Sequence, residues 1–301
     1  MVAQRPAIDP PLKAGFTLVE MSIVLVIIGL VIGGVLVGQD LISAASVLAQ
    51  ISQIEKYQTA VNTFKLKFNA LPGDIADPNA SAFGFAARGQ YAGEGDGDGF
   101  IQGINDSSGG QDIWGVFTGE SGMFWVDLSQ AQLIDDNFSS ATPTAVPATG
   151  SILPTQVRLY LPTAKIGRGN NIGIIGGQSD SIGVGINYFT LAAVTTNFWF
   201  GRPDSIPSLT VQEAYNIDKK MDDGLPQSGA VTAHYDASLG TNNWAAAYGY
   251  SGAADISGGP TTNATPPSAT NCYDNNNVTG PQQYSMKNAN QINCALSFQF
   301  Q

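Results

Sequence analysis

Residues 16–38 form an apolar run, Phe16-Thr-Leu-Val-Glu20-Met-Ser-Ile-Val-Leu-Val-Ile-Ile-Gly29-Leu-Val-Ile-Gly33-Gly34-Val-Leu-Val-Gly38, that carries one charge, Glu20. About 20 such residues cross a bilayer as a helix, so this run is a transmembrane candidate. Arg5 and Lys13 precede it. Basic residues stay on the cytoplasmic side, which predicts a cytoplasmic N-terminus, an inner-membrane precursor and an exported body. An ordinary secretory signal has a shorter apolar core, followed by small residues at the cleavage site. Here Ala14 and Gly15 come before the run, so a cut there leaves the helix attached.

The helix pattern continues beyond Gly38. Val47, Ile51, Ile54, Val61, Phe64 and Phe68 recur at spacings of three, four and seven, with Tyr57 on the same side. Gln50, Gln53, Lys56, Thr59 and Lys65 fill much of the rest. This is an amphipathic helix over residues 39–68 whose apolar face docks on a head. The Asn69-Ala-Leu-Pro72-Gly73-Asp74 segment stops it. Unbroken, residues 16–68 span roughly 80 Å at 1.5 Å per residue.

From Asp74 onward the signals are short. Residues 78–112 read as a Gly- and Asp-rich loop, and 120–134 as a helix with Phe124, Trp125, Leu128, Leu133 and Ile134 apolar. Residues 137–150 form a connector. Strands are predicted at 157–161, 172–175, 182–194, 230–235 and 244–250. Thr210-Val-Gln-Glu213 is a capping-box pattern opening a helix to Met221. Residues 251–270 read as loop. At the C-terminus Ile292, Cys294, Leu296, Phe298 and Phe300 alternate with polar or small residues, the pattern of a half-buried strand.

Thirteen Lys and Arg stand against 24 Asp and Glu, which argues against a nucleic-acid partner. The two cysteines, Cys272 and Cys294, are one disulfide in an oxidising compartment or two buried thiols in a reducing one. The export argument favours the disulfide.

The Gly15-Phe16-Thr17-Leu18-Val19-Glu20 junction, opening an apolar helix after a polar leader, resembles the type IV prepilin family. The resemblance implies that residues 1–15 are a leader removed by a prepilin peptidase after Gly15, and that the Phe16 amine is then N-methylated. It implies a pilin fold of α+β class: a long N-terminal helix over 16–68 packed on an antiparallel β-sheet head, 69–301, with large loops. Leu71-Pro-Gly-Asp74, Phe124-Trp-Val-Asp-Leu128 and Tyr215-Asn-Ile-Asp218 are similar to a large-headed pilin subgroup, and 272–294 to its disulfide-bounded loop. Many relatives carry a proline near Val37; this chain has none, so Gly33–Gly34 is where a break in the helix would fall.

Glu20 has its own physical argument. An acid within an apolar span costs about 2.5–3.5 kcal/mol, so it needs a partner or a place at the interface. A cleaved Phe16 amine lies about one turn away, and pairing with the amine of a neighbouring copy would reward one axial register. Gly29, Gly33 and Gly34, with Gly38, have the small-xxx-small spacing that lets helices approach closely. The expected function is therefore a structural subunit of a type IV pilus-like filament, assembled with its own copies or other pilins and extracellular once assembled. Alternatives are a pseudopilin of a type II secretion system, or a membrane-anchored envelope domain that binds a ligand.

Glu94-Gly-Asp96-Gly-Asp98-Gly99 places three acids at alternate positions, the first half of a Ca²⁺ loop. The twelfth position is Asn105 rather than Glu, leaving Asp106 or Asp112 to substitute, or a solvated acidic turn with no ion. Asp218, Asp222 and Asp223 read as helix-surface acids or a second weak cation site. His234 is the one histidine, and no HExxH, GxSxG or P-loop order is present, so no enzyme activity is expected.

Overall fold

In a computed structural model of the chain, residues 17–89, 93–104, 111–112, 115–145, 147–177, 186–197, 201–233 and 264–301 are described. Gly15, Phe16, Asn105, Asp106, His234, the predicted strand at 244–250 and most of loop 251–270 lie outside them. The chain divides into two units, Met1–Ala45 and Ser46–Gln301. Helix α1 (Leu18–Phe68) contributes to both and continues unbroken through Gly33–Gly34.

Within the first unit, every large apolar side chain from Leu18 to Ile42 is exposed. Mean hydropathy reaches 2.8 over an 18-residue window of which nothing is buried. The helix is long and apolar enough to cross a membrane.

The second unit contains the rest of α1, then α2 (Asn79–Ala82), β1 (Gly103–Ile104), β2 (Gln111–Asp112), α3 (Gly119–Gln130), β3 (Asn170–Gly177), β4 (Ile186–Asn197), β5 (Pro203–Ile206), β6 (Leu209–Thr210), α4 (Val211–Met221), β7 (Val231–Thr232), β8 (Tyr273–Asp274), β9 (Gln283–Tyr284), β10 (Ile292–Cys294) and β11 (Leu296–Gln299). The main sheet is antiparallel in the order β3-β4-β11-β7, with β5 pairing the far end of β4. Leu191 faces Ile172 of β3 and Leu296 of β11, so β4 is hydrogen-bonded on both edges. Both edges being paired suits its run of buried residues from Asn187 to Val194. The α+β pilin fold expected from the sequence is the fold observed.

Val47, Ile51, Ile54, Val61 and Phe64 of α1 are buried against this head. Tyr57 meets Trp125 of α3 edge-on at 4.9 Å and Phe189 of β4 at 6.2 Å. Gln50 and Gln53 were expected on the solvent face, yet both are buried. They substitute for a strand edge: Gln53 Oε1 accepts from the Lys165 N–H at 2.8 Å, its Nε2 donates to Thr163 O at 3.0 Å, and Gln50 Oε1 accepts from Ile166 N–H at 3.1 Å. Irregular backbone beside α1 would otherwise bury unpaired polar groups.

Other expectations shift. Residues 157–161, predicted as a strand, hold a 3-10 turn at Val157–Leu159. The C-terminal strand is two strands, since β10 pairs β6 and β11 enters the main sheet. Ser297 is buried as fully as Phe298, so β11 is covered on both faces.

Cys272 and Cys294 form a disulfide with a Cα–Cα distance of 5.0 Å. It closes the segment that holds β8, β9 and β10. A closed loop of this length stabilises by about 3 kcal/mol in the chain-entropy account.

Candidate functional site

The N-terminal helix begins with a capping box that was legible in the sequence but not anticipated there. Thr17 Oγ1 accepts from the Glu20 N–H at 3.2 Å. Glu20 Oε2 accepts from the Thr17 N–H and hydroxyl, each at 2.8 Å. The four leading N–H groups of a helix lack intrahelical partners, and this reciprocal pair satisfies two of them. Glu20 is thus held at the start of α1 by its own chain. A Cβ built on Gly29, Gly33, Gly34 or Gly38 meets nothing within 4 Å, so this stripe is open to a neighbouring helix.

The acidic loop is gathered differently from its sequence spacing. Asp96 has Asp74 and Glu120 as companions, each offering one oxygen, all within 4.8 Å of one another. Glu94 and Asp98 lie outside that group. Asp74 comes from the turn after α1 and Glu120 from the first turn of α3, both buried. Asp74 accepts from the N–H groups of Gly97 at 2.8 Å and Gly99 at 2.9 Å; Glu120 accepts from Gly95 at 3.0 Å and Gln102 at 2.8 Å. The two acids therefore shape the glycine loop that the sequence singled out. Burial pushes the Asp74 carboxyl up to about 7 despite these N–H donors, with Asp98 and Asp96 adding to the rise. Burial also lifts Glu120 well above the usual carboxylate range, helped by Asp74. Three carboxylate oxygens suit a hard cation such as Ca²⁺.

A salt bridge beneath this loop had no local sequence signal. Arg88 meets Asp127 of α3 through two bonds, 2.7 and 2.9 Å, with both side chains fully buried. Asp127 also accepts from Gly73 N–H at 2.7 Å, and Arg88 donates to Gly73 O at 3.1 Å. Gly73 has φ +84, and a Cβ there would lie 2.2 Å from the Glu120 carbonyl oxygen, so only glycine fits. The Leu71-Pro-Gly-Asp74 turn is thereby fixed to Phe124-Trp-Val-Asp-Leu128.

The second acidic group, Asp218, Asp222 and Asp223, offers three oxygens within 4.8 Å of one another, as a weak cation site would. Asp218 is buried rather than on the surface, and accepts from Tyr284 Oη at 2.8 Å and Gly224 N–H at 3.0 Å. Burial pushes it up to about 7, opposed by those bonds and raised further by Asp223 and Asp222. It ties α4 to β9 inside the disulfide-bounded segment. Asp222 and Asp223 are exposed and cap the turns that follow α4.

The helix thus carries an exposed apolar first half, a capped charge at its start and glycines open to approach. A family profile described as the prokaryotic N-terminal methylation motif matches residues 11–36. The match covers the N-terminal segment alone, and it supports reading that segment as the start of a type IV prepilin-type, membrane-anchored precursor of pilin- or pseudopilin-like kind. No curated protein and no solved structure matches the chain.

Proposed function

We infer that this chain is the structural subunit of a type IV pilus-like filament. A prepilin peptidase removes residues 1–15, the Phe16 amine is methylated, and residues 16–38 leave the bilayer to form the filament core with the head outside. The observation that carries this reading is the helix itself: among the described residues its apolar side chains from Leu18 to Ile42 are exposed, and its glycines are open to close approach. Burying such a surface against further copies removes it from both lipid and water. Glu20 then serves two roles, capping its own helix and meeting the amine of an adjoining copy.

N-terminal sequencing of surface filaments tests this. The expected first residue is methylated Phe16. A chain that keeps Met1 and remains singly inserted in the membrane overturns the reading.

Ca²⁺ at Asp74, Asp96 and Glu120 belongs to the same proposal, as an ion that holds the glycine loop. Cation binding competes with protons, and burial raises both Asp74, to about 7, and Glu120, so binding strengthens as pH rises. At 100 times its dissociation constant an ion bound only by the folded state adds about 2.7 kcal/mol. Thermal melts should therefore shift upward with Ca²⁺ at pH 8, less at pH 6, and not at all in Asp74→Asn. An unchanged melting temperature at pH 8 would exclude the ion.

A further inference from the structure

We propose that Asn137 is an acceptor for an N-linked saccharide, which lies along the groove beside the outer half of α1. Five Asn-x-Ser/Thr sequences occur, at Asn79, Asn105, Asn137, Asn263 and Asn277. Such a sequence is an acceptor only where it is reachable on an exported surface, so the inference rests on the export of the head. Asn105 and Asn263 lie outside the described residues.

Geometry separates the other three. Asn79 and Ser81 are held in α2, and the Ser81 hydroxyl is engaged by Asp77 Oδ1 at 2.6 Å. Asn277 sits in a left-handed turn at φ 62, with Val278 exposed beside it. Asn137-Phe-Ser139 belongs to no helix or strand. Phe138 is buried, its ring 6.2 Å from Trp125 and its N–H donating to Ser129 Oγ at 3.0 Å. Asn137 and Ser139, on either side of it, are exposed. The core thus grips the middle residue and presents both the acceptor amide and the hydroxyl two residues on, the pair that a transferase must read together.

Asn137 also lines a groove of 990 Å³, together with the cations Lys56, Arg158 and Lys165 and the carboxylates Glu55, Asp135 and Asp136. Charged side chains of both signs beside Tyr57 and Phe138 offer donors and acceptors for sugar hydroxyls and apolar faces for the rings. Pockets of about 300–1,000 Å³ take ligands of drug size, roughly two or three sugar rings.

In the transfer, Asn137 Nδ2 forms a bond to the anomeric carbon of a lipid-diphosphate-linked saccharide. The bond from that carbon to the diphosphate oxygen breaks, the lipid diphosphate leaves with the electron pair, and the amide gives its proton to a base. Nothing is oxidised or reduced.

The test is mass spectrometry of the full-length protein recovered from the envelope of its native host, with peptide mapping. A saccharide increment on the peptide holding Asn137 is expected, lost in Asn137→Gln and Ser139→Ala, retained in Ser139→Thr and unaffected by Asn277→Gln. An increment that persists in Asn137→Gln overturns the assignment. The same spectra read the N-terminus: a chain beginning at Phe16 with bare Asn137 overturns the saccharide and leaves the filament reading standing. An uncut, bare chain overturns both, and an uncut chain carrying the sugar upholds the acceptor alone.

Discussion

Glu20→Ala is expected to abolish filament assembly while the head melts as before. Truncating one member of a desolvated, hydrogen-bonded charge pair costs about 2–5 kcal/mol, and 2 kcal/mol alone lowers an association constant about 30-fold. Every subunit contact in a helical polymer repeats the loss. The capping box adds a complication, because the same carboxylate satisfies Thr17, and a lost cap costs about 0.5–2 kcal/mol. Glu20→Gln separates the two roles, since an amide oxygen still fills the capping box but carries no charge. Filaments sheared from cells and counted by electron microscopy should be absent in both variants. Normal filaments from Glu20→Gln would reduce Glu20 to a cap, and normal filaments from Glu20→Ala would remove it from assembly altogether.

Arg88→Ala should unfold the head under conditions the native chain tolerates. The variant leaves Asp127 buried with its charge uncompensated, a loss of about 3–5 kcal/mol against a total that rarely exceeds 15. The damage spreads, because Asp127 and Arg88 both hold Gly73 and the adjoining Asp74 orders the glycine loop. Urea unfolding followed by the fluorescence of buried Trp125 reads the effect. The double variant Arg88→Met with Asp127→Leu should recover much of the loss, since an apolar pair of similar volume avoids the unpaired charge. A single variant as stable as the native chain would show that the pair contributes nothing to the fold.

Local periodicity carried the parts of this fold that depend on neighbours in sequence. The α1 core face was legible through Phe64, and the Thr210–Glu213 capping box opens α4 as expected. Thr17-Leu-Val-Glu20 has the same order of residue types, but its acid also lies inside an apolar span, where a membrane cost competes with capping as the reason for its presence. At 157–161 the alternation of Val157, Leu159 and Leu161 suggested a strand. The structure buries Val157 and Leu161 and leaves Leu159 49% exposed, a spacing of four that fits a helical turn. Pro154 and Pro162 bracket the stretch, and proline disfavours central strand pairing. Of the acidic loop, the sequence singled out Asp96 but not its companions. Asp74 and Glu120 are 22 and 24 residues away from it, and no spacing rule reaches that far. Arg88 and Asp127 were silent for the same reason: an ion pair across 39 residues leaves no periodic mark.

β11 occupies the middle of the main sheet, between β4 and β7, and Leu296 pairs with Leu191 from 105 residues earlier. An emerging polypeptide cannot zip this sheet progressively, because its interior slot is filled by a strand that follows both of its neighbours in the chain. Until β11 arrives, β4 and β7 wait with open edges, which are templates for mispairing with other chains. On the filament reading proposed above, a helix held in the bilayer would limit the company these edges keep during that wait to molecules in the same plane.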